Sequence, residues 1–343
     1  MTLSRRGFVC VATGGAAASA FAPNAFAAIG DKSAITATVT GATPTGYPRT
    51  MVEALNAIVR DAYPGSSVSF KPNSPGGGIV AIAKGESDLT ATASGAEIKL
   101  AIEGAFPFRE PLKDKFQFVM QLYDNAFLHL LMTKAWADEY GIRSWDDIAK
   151  KKPRMRLTLN RPDNPQGSIG GPYEIMKVHG FTIDDIPKWG GSFVLGNSQV
   201  SIDAIKDGKA DVMMGGGILG NATVKDVASK RELLWLDGDV KKIQQAAEVF
   251  HYRADMVPKG TYAFMEKDYP TLRQSIMMLA GAHVSEEIVY KYTKAIAEAE
   301  PRVRAIGGVM TDGFAVAKMP TNGAKLPVHP GAERYYKEKG MMK

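Results

Sequence analysis

Residues 35–40 alternate apolar and hydroxyl side chains, with Ile35, Ala37 and Val39 set between threonines. That alternation predicts a strand buried on one face. A loop from Gly41 to Pro48 interrupts it. Met51, Leu55, Ile58 and Val59 then recur at helical spacing, which predicts an amphipathic helix, and Val68–Phe70 predicts the next strand. Strand, loop, helix, strand is the grammar of an α/β protein whose helices cover a largely parallel sheet. A second phrase follows: a glycine-rich stretch Ser74–Gly78, a short helix over 79–84 ended by Gly85, and a strand from Leu89. It recurs about 120 residues later, where Ile205, Gly208, Asp211 and Val212 take the places of Ile82, Gly85, Asp88 and Leu89. The repeat predicts one supersecondary unit used in two lobes.

Between the copies, residues 116–132 are strongly apolar but broken at Tyr123-Asp124-Asn125, which predicts two strands meeting at a crossing between lobes. Ser144-Trp145-Asp146-Asp147 has the spacing of a capping box. Leu157–Asn160 predicts a strand ending in the long polar loop Arg161–Gly171. Phe250-His251-Tyr252-Arg253 reads as the return crossing, and about residues 284–306 and 331–339 read as helical. The expected organisation is a signal segment over 1–27, a discontinuous first lobe over 28–125 and 250–343, and a second lobe over 126–249.

Composition narrows the function classes. The chain has 343 residues and a net charge of +6, with no basic run longer than Lys150-Lys151-Lys152. This is a poor nucleic-acid footprint. Past the N-terminus no run of 18 apolar residues occurs, so a membrane domain is not expected. At the N-terminus, Ser4-Arg5-Arg6-Gly7-Phe8 precedes a mild apolar run and Ala25-Phe26-Ala27. This predicts a twin-arginine export signal cleaved near Ala27 and a periplasmic location. Cleavage there also removes Cys10, the only cysteine, so neither a disulfide nor a thiolate nucleophile is expected.

No enzyme signature stands out. A phosphate-loop lysine and a Gly-x-Ser-x-Gly elbow are absent, and the five histidines lie 32 or more residues apart. No catalytic residue, metal or cofactor is expected. What remains is a set of polar, glycine-bearing loops at the C-terminal ends of predicted strands, where open α/β sheets bind ligands. They are Gly41–Pro48, Ser74–Gly78, Asn160–Gly170, Gly196–Gln199, Ser94-Gly95 and Gly215-Gly216-Gly217. Helix N-termini there offer free N–H groups to an anion. Arg161 or Arg49 has the chemistry to clamp a carboxylate. The loops describe a hinged binder for a small anion. On the same logic, Gly77→Asp is expected to abolish binding and leave the fold intact.

Several motifs also resemble a known family. They are Thr40-Gly41…Gly46-Tyr47-Pro48, Gly85-Glu86-Ser87-Asp88-Leu89, Gly167-Ser168, Asp203–Asp211, Pro258-Lys259-Gly260-Thr261-Tyr262, and Pro327-Val328-His329-Pro330-Gly331-Ala332-Glu333-Arg334-Tyr335-Tyr336. Together they resemble the TAXI solute receptors, the TRAP-associated extracytoplasmic immunogenic proteins. The resemblance implies a type II periplasmic binding fold with the ligand cleft between its lobes. It further implies a monomer that delivers a small carboxylate, such as a dicarboxylate or an amino acid, to an ion-gradient-driven TRAP membrane transporter. By position it implies ligand contacts from Thr43, Thr45 and Tyr47, from Ser74, Gly76 and Gly77, from Ser94, and from Gln166, Gly167 and Ser168. Asn160, Arg161, Gly215 and Gly216 complete the expected site. An alternative partner is a membrane sensor kinase that reads the closed state.

Overall fold

The computed structural model describes residues 31–41, 47–72, 76–160, 170–196 and 198–343. The 1–27 signal segment therefore lies outside the described residues, and Ser33–Lys343 forms one unit. Its strands are β1 (Thr36–Thr40), β2 (Ser67–Lys71), β3 (Leu89–Ser94), β4 (Phe116–Thr133), β5 (Arg156–Asn160), β6 (Ser192–Gly196), β7 (Val212–Gly217), β8 (Leu233–Trp235), β9 (Arg253–Val257) and β10 (Tyr269–Gly281). The helices are α1 (Tyr47–Ala62), α2 (Ile79–Ala83), α3 (Gly95–Glu103), α4 (Lys134–Tyr140), α5 (Trp145–Lys151), α6 (Gly170–Val178), α7 (Asp185–Lys188), α8 (Ser198–Lys206), α9 (Ala222–Lys230), α10 (Val240–Val249), α11 (Glu286–Glu298), α12 (Glu300–Arg304), α13 (Val309–Gly313) and α14 (Pro330–Glu338).

One sheet runs in the order β2-β1-β3-β10-β4-β7-β5-β6, with β8 beside β4 and β9 beside β10. The outer trios β2-β1-β3 and β7-β5-β6 are parallel, and the central β10-β4 pair is antiparallel. Apolar side chains separate accordingly. One core holds buried residues from Phe127 to Leu272. The others draw on residues 35–122 and 277–336. Each long central strand thus leaves one core and enters another.

The central strands depart from expectation in two ways. Residues 116–132 form a single strand of 18 residues with Thr133, not two. Phe250–Arg253 is not the return crossing: Phe250 caps α10, His251 takes a left-handed backbone at φ 56°, and only Arg253 enters a strand. The strand that pairs with β4 is β10. Aromatic residues at 250 and 252 mimic strand propensity, yet they pack against helix N-termini. At Tyr123-Asp124-Asn125 the polar break is absorbed by shifts in the β4–β10 register. Asp124 is buried there, with Arg273 at 3.2 Å from β10 and Lys318 at 3.1 Å. A buried carboxylate is tolerable only with such partners.

The repeated phrase is one device built twice. Gly85 and Gly208 end α2 and α8 with left-handed backbones. Asp88 then accepts the Thr38 N–H of β1 at 2.7 Å, and Asp211 accepts the Arg156 N–H of β5 at 3.0 Å. In each copy the aspartate fastens the next strand beside its parallel neighbour. The predicted capping box is present as well: Ser144 Oγ accepts the Asp147 N–H while the Asp147 carboxylate accepts the Ser144 N–H. Ser144→Ala is expected to lower stability by ~1 kcal/mol, read as a lower denaturant midpoint.

Candidate functional site

Two of the described strand-end segments meet at one turn, Phe250–Tyr252. From the β3 side, Gly95 opens α3 so close that a Cβ there would lie 2.9 Å from the Phe250 carbonyl. From the other side, Gly170 opens α6 beneath the Phe250 ring, and Gly171 lies beneath Tyr252 and Leu272. Two helix N-termini, one following β3 and one following β5, therefore meet at the same aromatic turn. Each brings the partial positive charge of a helix end, with the Glu97 N–H of α3 already taken by Ser94 Oγ.

Ser94 ends β3 and caps α3, but its donors are engaged within the chain. Its N–H donates to Glu97 Oε2 at 2.8 Å, and its hydroxyl also donates to that oxygen. Glu97 is 0% exposed, and among the described residues its Oε1 has no hydrogen-bond partner. Burial pushes this carboxyl up to about 7, against the lowering effect of the Ser94 hydrogen bonds. Its charge is felt by Tyr123 on β4 and by Tyr252, whose hydroxyls burial holds above the usual range. Sequence inspection did not single out Glu97. The signal was present as Ser-x-x-Glu at residues 94–97, with the serine closing an entirely buried strand.

The remaining expected residues divide. Tyr47 starts α1, and its hydroxyl donates to the Gly307 carbonyl at 2.6 Å while accepting the Met310 N–H. Burial raises it to about 12. It thus ties the first strand-end loop to the segment preceding α13. Gly76 and Gly77 lie in a buried turn with φ of 63° and 64°. The Gly77 carbonyl accepts the Thr90 hydroxyl at 2.5 Å, and a Cβ on Gly77 would sit 3.3 Å from Thr92 O and Ala93 Cα. The sequence suggested that Gly77→Asp leaves the fold intact, whereas this geometry predicts strain. The substitution is expected to cost ~1–3 kcal/mol through backbone strain, which a thermal melt will register.

Asn160 ends β5, buried, with Oδ1 unpartnered among the described residues. Gly215 and Gly216 pair with His129 and Leu128 of β4. His129 Nε2 lies 2.7 Å from the Tyr262 hydroxyl, and burial lowers this imidazole to about 4, so it is neutral at physiological pH. Tyr262 in turn accepts the Asn221 N–H at the start of α9. The glycines are thus held against a rigid polar strut. Thr43, Thr45, Ser74, Arg161, Gln166, Gly167 and Ser168 lie outside the described residues. Among the described residues no cluster of three or more metal-ligating side chains forms.

Known proteins of the same architecture are two-lobed periplasmic binding proteins of type II, and that is the fold of this chain. MatC from Rhodopseudomonas palustris, with bound malate, aligns at TM-score 0.52 and 12% identity, covering 90% of this chain and 99% of that one. The periplasmic binding protein BugD aligns at TM-score 0.50 and 12% identity, covering 90% and 94%. A Xanthomonas citri protein bound to chloride ion aligns at TM-score 0.50 and 9% identity, covering 91% and 98%. In sequence, residues 40–340 match the NMT1-like family. The chain belongs to that family.

Proposed function

We propose that this protein is a periplasmic solute-binding receptor of the TAXI kind. It captures a small organic anion between two lobes joined by β4 and β10, and hands it to a TRAP transporter driven by an ion gradient. In this reading the chain is exported through its twin-arginine signal, acts as a monomer and catalyses no reaction. The observation that carries it is the meeting of the α3 and α6 N-termini, led by Gly95 and Gly170, at the Phe250–Tyr252 turn. Two positive helix ends brought together from the β3 and β5 sides suit an anion bound at strand ends. The malate bound by MatC, a protein of similar fold, supports a carboxylate as the anion.

The test is native mass spectrometry of the purified mature protein before and after gentle unfolding. The expected result is a small carboxylate released on unfolding. Ligand-free protein should then be stabilised by carboxylates, by ~2.7 kcal/mol at 100 times the dissociation constant. A protein that releases nothing and ignores every carboxylate would not be a receptor of this class.

A further inference from the structure

We infer that an ionic joint centred on Asp124 holds the two lobes in one arrangement, so that the balance between lobe arrangements is set at the β4–β10 crossing and not only by the binding loops. The inference rests on the two-lobed fold and goes beyond the question of which solute is bound.

Apolar packing is interrupted on both crossing strands at the same level. On β4 one core ends at Leu122 and the other begins at Phe127, and on β10 the corresponding residues are Leu272 and Met277. Register shifts fall in the same interval, between Gln274 and Met277. Charge fills the gap instead. The Asp124 side chain is 9% exposed and meets Arg273 at 3.2 Å, Lys318 at 3.1 Å and Arg253 at 3.9 Å. Arg273 and Arg253 stand directly opposite each other on β10 and β9, a pairing of like charges that is unfavourable by itself. Asp255 answers it, 3.0 Å from Arg273 and 3.6 Å from Arg253.

The cations reach Asp124 from different cores. Lys318 closes the turn Val316–Lys318, which is fixed by the next residue, Met319. Met319 is buried in the core that holds Leu122, and its carbonyl accepts the Gln121 N–H at 2.9 Å. Arg253 opens β9, which ends at Val257 in the other core. It also directly follows the Phe250–Tyr252 turn, so the joint begins one residue from the candidate site. One carboxylate is thus shared by cations carried on both lobes, and rotation of one lobe against the other changes at least one of these distances. Packed apolar side chains resist such a change. Lys318 and Arg253, 45% and 60% exposed, exchange Asp124 for water at small cost. The joint favours one arrangement without locking it.

The test is double electron–electron resonance on dialysed mature protein, spin-labelled through Lys84→Cys and Lys150→Cys. Residues 28–343 hold no cysteine of their own. Lys84 follows α2, near Ile82 of one core, and Lys150 lies on α5, near Ile148 of the other. Lys318→Met and Arg253→Met should each change the ratio of label-distance populations roughly two- to fivefold, in the same sense. Asp124→Asn should change it more than either, and adding Lys318→Met to it should add nothing. Lys337→Met, which removes an ion pair within α14, should leave the wild-type distribution. If either exposed variant shifts nothing, or if the two shift in opposite senses, the joint is overturned. Should Asp124→Asn fail to fold, those two variants decide alone. No ligand enters the measurement, so its failure leaves the receptor reading standing, and a protein that ignores every carboxylate leaves the joint untouched.

Discussion

Gly331→Ala is expected to destabilise the protein by ~3 kcal/mol, seen as a lower denaturant midpoint at unchanged slope. A Cβ at this position would lie 2.2 Å from the Glu286 carbonyl and 2.7 Å from the Tyr290 amide. Both atoms belong to α11 backbone, so no side-chain rotation relieves the collision. The cost is overpacking between two helices that are neighbours along their whole contact. This explains the His329-Pro330-Gly331 motif physically. His329 caps α14, with Nδ1 accepting the Gly331 N–H at 3.2 Å and Nε2 donating to the Val284 carbonyl at 3.1 Å. Pro330 takes the first helical position, where its missing N–H costs nothing. Gly331 lets the helix end seat against α11. The motif identifies a helix docking joint rather than a ligand contact.

The second large effect lies at Glu97. Its carboxyl titrates at about 7 in the folded protein against an ordinary 4.5. The folded state therefore binds the proton more tightly than the unfolded chain. The stability this confers is full below pH 4.5 and is lost as the pH rises through 7. A shift of this size amounts to ~3 kcal/mol. Glu97→Gln carries no such proton, and its amide keeps the capping bond to Ser94. The variant and wild type should be similarly stable near pH 4, and at pH 8 to 9 the variant should be more stable by ~3 kcal/mol. Chemical denaturation across that range measures it. Parallel profiles for the two proteins would mean that the burial of Glu97 does not govern its titration.

Much of the architecture was legible because it is local. The alternation at 35–40, the apolar face of α1 and the Ser144 capping box each follow from neighbours a few residues apart. The Gly-x-x-Asp phrase was legible because it occurs twice. Its purpose was not, since Asp88 and Asp211 act on strands 50 and 55 residues away. The unity of β4 was hidden for a similar reason: Asp124 looks like a break until Arg273 and Lys318 arrive from remote parts of the chain. Glycines at strand ends marked the place of the candidate site, because close backbone approach leaves a trace in composition. Its electrostatics left none. Tyr47 was expected among the ligand contacts; what its spacing did not show is that its hydroxyl is engaged by Gly307, 260 residues on. Glu97 passed for an ordinary helix residue because the Ser-x-x-Glu spacing marks a cap but not the depth at which β3 and α3 bury it.

The β4–β10 crossing has one more consequence. At three steps between Gln274 and Leu279 the partner on β4 advances one residue further than β10 does. The outer rail of the track is thus longer than the inner one, as on any curve, and the sheet bends where the extra length is stored. Strand side chains change face with every residue, so each added residue also reverses which half of β4 looks inward. Deleting a single residue there would slip one half of β4 by one position against β10 and exchange the faces its side chains take. The joint between the two halves can drift in composition but not in count.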